Sequence, residues 1–159
     1  MNVNIICLGK LKEEYLRKAC DEYTKRLGAF CTLKITEITP ERLPDNPPES
    51  LIESALEKEG EKIMKNIAAN DAVIALCIEG KEFSSEELAA KIGSITLGGK
   101  STVDFIIGSS YGLSPAVKAK ADIRLSMSRM TFPHQLARVM CLEQIYRAFM
   151  ISSGGKYHK

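Results

Sequence analysis

Three short runs, residues 3–8 (VNIICL), 72–78 (AVIALCI) and 103–107 (VDFII), are apolar nearly throughout. A strand with one wet face alternates polar and apolar residues, whereas a strand covered on both faces does not. These runs therefore predict strands of a parallel sheet packed between two layers of helix. The segments between them supply the helices. Leu11, Tyr15, Leu16, Ala19, Cys20, Tyr23 and Leu27 recur at helical spacing, and Gly28 is placed to make a left-handed C-cap. Leu51, Ile52, Ala55, Leu56, Ile63, Met64 and Ile67 form a second apolar stripe over 48–67. Ser84 and Glu87 spell a capping box ahead of a third, with Leu88, Ala89, Ile92 and Ile95 inward. A weaker strand is expected over 32–38, and a loop over 39–48, where Pro40, Pro44, Pro47 and Pro48 forbid regular structure. Glu79-Gly80-Lys81 should close the second apolar run, and Ser114-Pro115 should open a short helix. The pattern is that of an α/β fold with a mainly parallel sheet, in a single domain over 1–159.

The stretch 124–150 is the least ordinary part of the chain. Ile123, Leu125 and Met127 alternate with polar residues, which predicts a short half-buried strand. The link 128–132 follows neither period. Thr131 can cap a helix whose first turn holds Pro133, and neither Gly nor Pro interrupts the sequence again before Gly154. In that helix Leu136, Val139, Met140, Leu142, Ile145, Tyr146, Phe149 and Met150 point in nearly every direction. One core needs only one apolar stripe. The second face predicts a partner subunit, hence a homodimer. Glu143 and Arg147, four apart, can pair along the helix.

A net charge of +2 decides nothing, but its distribution is uneven. Acidic residues outnumber basic ones by roughly two to one between Glu41 and Glu87. From Lys118 onward eight Lys and Arg face only Asp122 and Glu143, which suits a phosphate-bearing partner. The five cysteines form no CxxC pair and sit mostly in apolar segments, so they read as reduced thiols of a cytoplasmic protein. Two histidines and scattered cysteines offer no metal-ligand spacing, so no metal is expected. No membrane is expected either: the N-terminus lacks a basic region before its apolar run, and no apolar run is long enough to span a bilayer. There is no Walker A motif and no GxGxxG. In parallel sheets ligands bind beyond the carboxyl ends of the strands. That rule selects three loops: those after 72–78 and 103–107, and the link 127–132.

FIIGSSYGLS (105–114), LSMSRMTFPHQLARVMCLEQIYRAFMI (125–151) and the terminal GGKYHK (154–159) resemble the RlmH family. CLGKLKEEY at the start, KEG at 58–60 and IEGK at 78–81 are also similar, so the resemblance spans essentially the whole chain. These are small SPOUT-class methyltransferases that act on N3 of a pseudouridine in 23S ribosomal RNA. The resemblance implies an α/β-knot fold with a C-terminal deep trefoil knot, a homodimer, and S-adenosylmethionine as cofactor. It assigns cofactor contacts to Leu76, Gly108, Met127, Ser128, Arg129, Met130, Thr131 and Phe132. Where the family often carries two glycines this chain has Gly108-Ser109, which bears on how closely the loop backbone approaches the ligand.

Methyl transfer to N3 requires the acceptor nitrogen to be aligned with the methyl group and to lose its proton. The resemblance suggests that the tail of one subunit completes the site of the other, so His158 is expected to assist deprotonation and Tyr157 to position it. Arg138 is the third catalytic candidate; it interrupts an apolar helix and needs a partner, either a carboxylate across the dimer or RNA phosphate. Arg129, His134, Lys156 and Lys159 are candidates for contact with RNA. His134 is expected to be neutral near a helix N-terminus. Two other readings fit the pattern: a non-catalytic RNA- or ribosome-binding module, and a flavodoxin-like nucleotide-binding protein using the turn Gly9-Lys10.

Overall fold

The computed structural model describes residues 1–157. The elements run β1 (Asn2–Leu8), α1 (Glu14–Leu27), β2 (Thr32–Ile38), α2 (Glu49–Met64), β3 (Ala72–Glu82), α3 (Ser85–Leu97), β4 (Thr102–Ile107), α4 (Pro115–Lys120), β5 (Ile123–Ser126) and α5 (His134–Ser152). The five strands lie in the order β2-β1-β4-β3-β5, and every neighbouring pair is parallel. Alternate residues of the apolar runs feed two cores, as strands buried on both faces require. Val3, Ile5, Ile74, Val103 and Phe105 join Cys20 and Leu27 of α1, Leu88 and Ile92 of α3, and Leu142 and Ile145 of α5. Ile6, Leu8, Val73, Ala75 and Ile106 join Ile63 of α2 and Val117 of α4.

Four local expectations change. Gly28 does not make a left-handed cap: its φ is −58°, and its N–H donates to Thr24 O at 3.1 Å while the chain turns on toward Cys31. Thr131 does not cap α5, which begins at His134 after Pro133 with no side-chain cap. β3 does not stop at Glu79-Gly80-Lys81. It bulges there and pairs again, so that Leu76 and Lys81 both face Leu125 of β5. The approach is close enough that a Cβ on Gly80 would lie 2.7 Å from Arg124 O, which explains the glycine.

The fourth change concerns α5. Arg138, Cys141, Leu142, Ile145 and Ala148 are buried in one stripe. On one flank Tyr146 and Phe149 pack on Phe30 beyond α1, with ring centroids 5.9 Å apart in both pairs. On the other flank the Ser85 hydroxyl of α3 donates to Gln144 at 2.7 Å. Part of the apolar surface read as a subunit interface is thus covered by α1 and α3 of the same chain, while Leu136 stays 38% exposed.

Candidate functional site

Three turns at the carboxyl ends of the inner and outer strands meet around one cleft of about 610 Å³. The first is the β3 bulge, which brings Leu76, Cys77, Ile78 and Glu79 to the wall. The second follows β4. Gly112, at φ +90°, folds back so that its N–H donates to Ser109 O at 2.9 Å. Gly108 opens this turn, and a Cβ there would lie 2.3 Å from Gly112 O. The glycine is therefore demanded by the turn's own backbone. The third is the link after β5, ordered by two serines: Ser126 Oγ donates to Ser128 O at 3.0 Å, and Met130 N–H donates to Ser128 Oγ at 3.0 Å.

Charge within the cleft is sparse. Glu79 pairs with Lys118, whose hydrogen bond holds the Glu79 carboxyl below its ordinary range. Burial pushes the Cys77 thiol up, so it stays protonated and is no nucleophile at neutral pH. His134 is held below its ordinary pKa, first by burial and then by the charges of Arg138 and Lys12, so its imidazole is neutral at pH 7. The Ser109 hydroxyl is engaged away from any ligand, donating to Glu59 at 3.1 Å. The remaining wall is largely apolar, from Leu113, Leu125, Met130 and Phe132, with backbone N–H and C=O groups of the turns between.

Of the residues singled out from the sequence, Leu76, Gly108, Met127, Ser128, Met130, Thr131, Phe132 and His134 line this cleft. Arg129 is exposed beside it and is not part of the wall. Arg138 lies behind it, 2% exposed. Its partner is neither a second subunit nor RNA but its own chain: Nη1 donates to Glu37 at 2.6 Å and Nη2 to Gly9 O at 2.8 Å. That leaves Arg138 no free terminal nitrogen pair for phosphate, and it occupies the Gly9 turn that a flavodoxin-like reading would give to a ligand.

Tyr157 folds back onto the middle of α5, at Glu143 roughly 14 Å along the helix from His134. Its hydroxyl donates to Glu143 at 3.2 Å, its ring meets Tyr146 at 4.9 Å, and the Arg147 guanidinium lies over it at 4.7 Å. Burial, then Tyr23 and Glu143, push the phenol up to about 12. Lys156 is exposed there. His158 and Lys159 lie outside the described residues. Sequence reasoning missed Cys77, Ile78, Glu79 and Lys118 as cleft residues. A lone glycine inside a strand pattern marks a bulge as readily as an end, and Gly80 was that signal.

An all-parallel α/β sheet with one mostly apolar cleft, walled by turns at the carboxyl ends of its strands, defines a protein of small-ligand-binding α/β type. The chain belongs to the SPOUT methyltransferase family: the family model described as "Predicted SPOUT methyltransferase" matches residues 1–158. It is 53% identical over 159 residues, all of both chains, to a protein named Ribosomal RNA large subunit methyltransferase H from Clostridium novyi. It is 52% identical, again over the whole of both chains, to one of the same name from Bifidobacterium adolescentis. Among solved structures, a probable methylase family protein from Haemophilus influenzae superposes with a TM-score of 0.55 at 15% identity, over 99% of this chain and 70% of that one. At that identity the likeness concerns the fold alone. Membership of a methyltransferase family disfavours the non-catalytic binding module.

Proposed function

We propose that this chain, a single domain, methylates large-subunit ribosomal RNA from S-adenosylmethionine held in the cleft between the β3 bulge, the Gly108 turn and the 127–132 link. The observation that carries the reading is the convergence of those three turns on one cleft of about 610 Å³. Its size falls within the range of small-molecule sites. Its chemistry fits the donor: apolar walls from Leu76, Ile78, Leu113 and Phe132 suit a flat adenine, and the backbone groups of the turns suit its polar edges. When bound, S-adenosylmethionine supplies a methyl group already activated on a positive sulfur. The protein's part is to orient and to manage a proton.

The acceptor in this reading is N3 of a pseudouridine in 23S ribosomal RNA. Arg129 and His134 stand at the cleft's rim and face the RNA, with Lys156 and Lys159 on the tail. With its phenol pushed to about 12, Tyr157 remains protonated and serves as a hydrogen-bond donor, leaving His158 to assist removal of the N3 proton. Tyr157 packs against the middle of α5, away from the cleft of its own chain, so the tail acts at the cleft of a second copy in a cytoplasmic homodimer. In this reading the C-terminal part of the chain forms a deep trefoil knot.

Calorimetric titration of S-adenosylmethionine should give one site per chain. Mass spectrometry of 23S RNA from cells lacking the protein should lose one methylated pseudouridine. Binding without that loss would reassign the acceptor, and no binding would remove the donor.

A further inference from the structure

The triplet Lys58-Glu59-Gly60 is part of the family resemblance, yet none of it lines the cleft. Glu59 lies in the third turn of α2 and is only 4% exposed. A buried carboxylate is costly unless donors hold its oxygens. Two separate loops do so. Oε1 accepts the Glu41 N–H at 2.9 Å, from the proline-bearing loop. Oε2 accepts the Ser109 hydroxyl at 3.1 Å, from the Gly108 turn.

The next residue acts on the same turn's far end. A Cβ on Gly60 would fall 2.3 Å from Ser114 Oγ, so the glycine lets α2 seat directly on the start of α4. Ser114 is itself buried, and its Oγ accepts the Val117 N–H at 3.3 Å. One helix therefore grips the turn at both ends, Ser109 through Glu59 and Ser114 through Gly60. Between these anchors Ser110 and Tyr111 are exposed, and within the turn Gly112 N–H donates to Ser109 O at 2.9 Å. A second cavity of about 360 Å³, walled by Glu41, Glu59 and Pro44, shares Ser109, Ser110, Tyr111 and His134 with the cleft. A displacement of the Ser109 end would thus move a wall common to both.

We propose that Glu59 is a positioning residue for the methyl-donor site: acting through the Ser109 hydroxyl, it clamps the Gly108 turn against the proline-bearing loop and so sets donor affinity. Because its acceptor is charged, the bond from Ser109 is stronger than a neutral pair. Glutamine can keep both contacts. Its carbonyl accepts the Glu41 N–H, and its NH2 donates to Ser109 Oγ, which accepts as readily as it donates. Alanine keeps neither.

The inference rests on S-adenosylmethionine being the donor, and the experiment separates the two. Donor is titrated calorimetrically into the wild-type chain, Glu59→Ala, Ser109→Ala, the double variant and Glu59→Gln, with urea melts and amide exchange on each. Glu59→Ala and Ser109→Ala should each weaken donor binding about tenfold, the size expected for one charge-assisted bond. The double variant should be no weaker than Glu59→Ala, and Glu59→Gln should lie close to wild type. At saturating donor kcat should change far less than the dissociation constant. The proposal is overturned if Ser109→Ala binds as wild type, or if Glu59→Gln loses affinity in step with its melting midpoint as alanine does. A wild-type chain that takes up no donor sinks the donor assignment instead. Exchange at amides 109–112 then decides alone: faster in both alanine variants but not in Glu59→Gln supports the clamp, and unchanged exchange rejects it.

Discussion

Replacing Gly108 by alanine tests whether the turn's backbone shapes the donor site. The new Cβ would stand 2.3 Å from Gly112 O, 2.7 Å from Gly112 C and 3.1 Å from Leu113 Cδ2. Two of these are backbone atoms, so no flexible side chain can swing away. Ordinary contact at about 3.4 Å then demands a shift of about 1 Å between the two limbs of the turn. The limbs resist differently. Leu113 is 3% exposed and anchored in the core with Ile63 and Val117. Ser110 and Tyr111, between the turn's anchors, are exposed on the cleft, so the shift is taken up there. Overpacking of this kind costs about 1–3 kcal/mol of folding stability. A 1 Å error in a binding wall costs up to about a hundredfold in function. Gly108→Ala should therefore lower the urea midpoint modestly and weaken S-adenosylmethionine binding by about ten- to a hundredfold in calorimetry. Gly93→Ala is the control. It lies within α3 with nothing near its Cβ position, and should add about 0.5–1 kcal/mol while leaving donor affinity alone. If Gly108→Ala folds and binds as the wild-type chain does, the steric account of the turn is wrong.

Asp104 is wholly buried and accepts Asn4 Nδ2–H at 2.7 Å on one oxygen, while the other has no hydrogen-bond donor among the described residues and the Asp71 carboxyl is its neighbour. Burial, and then the neighbouring Asp71 carboxyl, raise its pKa to about 6, so ionisation weakens the fold fully above pH 6 and the penalty fades as pH falls toward 4. Asp104→Asn should gain about 3 kcal/mol in urea unfolding at pH 7.5 and only about 1 kcal/mol at pH 4.5; an equal gain at both would contradict this sign. Arg138→Met strands Glu37 and the Gly9 carbonyl, and should cost about 3 kcal/mol of stability. Lost methylation with an unchanged urea midpoint would instead give Arg138 a direct part in the chemistry. In a mixture of Gly108→Ala chains with chains lacking 156–159, assayed at donor concentrations too low to fill the Gly108→Ala cleft, heterodimers hold one cleft and one tail intact. Random exchange should restore about a quarter of wild-type methylation if the tail acts across the dimer, and none if it acts within its own chain.

The two buried faces of β1 and β4 were legible because period-two burial is a local property: Ile5 and Ile6 feed opposite cores, and no polar residue could occupy either position cheaply. The three loops of the cleft were legible for a topological reason, since a parallel sheet puts every carboxyl end on one rim. What escaped depends on contacts between residues far apart in sequence. Glu79-Gly80-Lys81 reads alike as a strand end or a bulge, and only the double pairing of Leu125 with Leu76 and Lys81 separates them. Arg138 on an apolar helix demanded a partner, but nothing local could say that Glu37 at the end of β2, 101 residues earlier, would supply it. The apolar surplus of α5 was visible, yet its division between α1, α3 and open surface depends on helix packing that no periodicity encodes. Glu59 shows the same limit most sharply. In sequence it is one more charge on an amphipathic helix, and a solvated glutamate is the ordinary reading. In the fold it is the point where the proline-bearing loop, the glycine turn and α2 meet, because Gly60 beside it lets the helix come close enough for the carboxylate to reach Ser109. The glycine, whose missing side chain admits the contact, is therefore as much a part of that clamp as the acid.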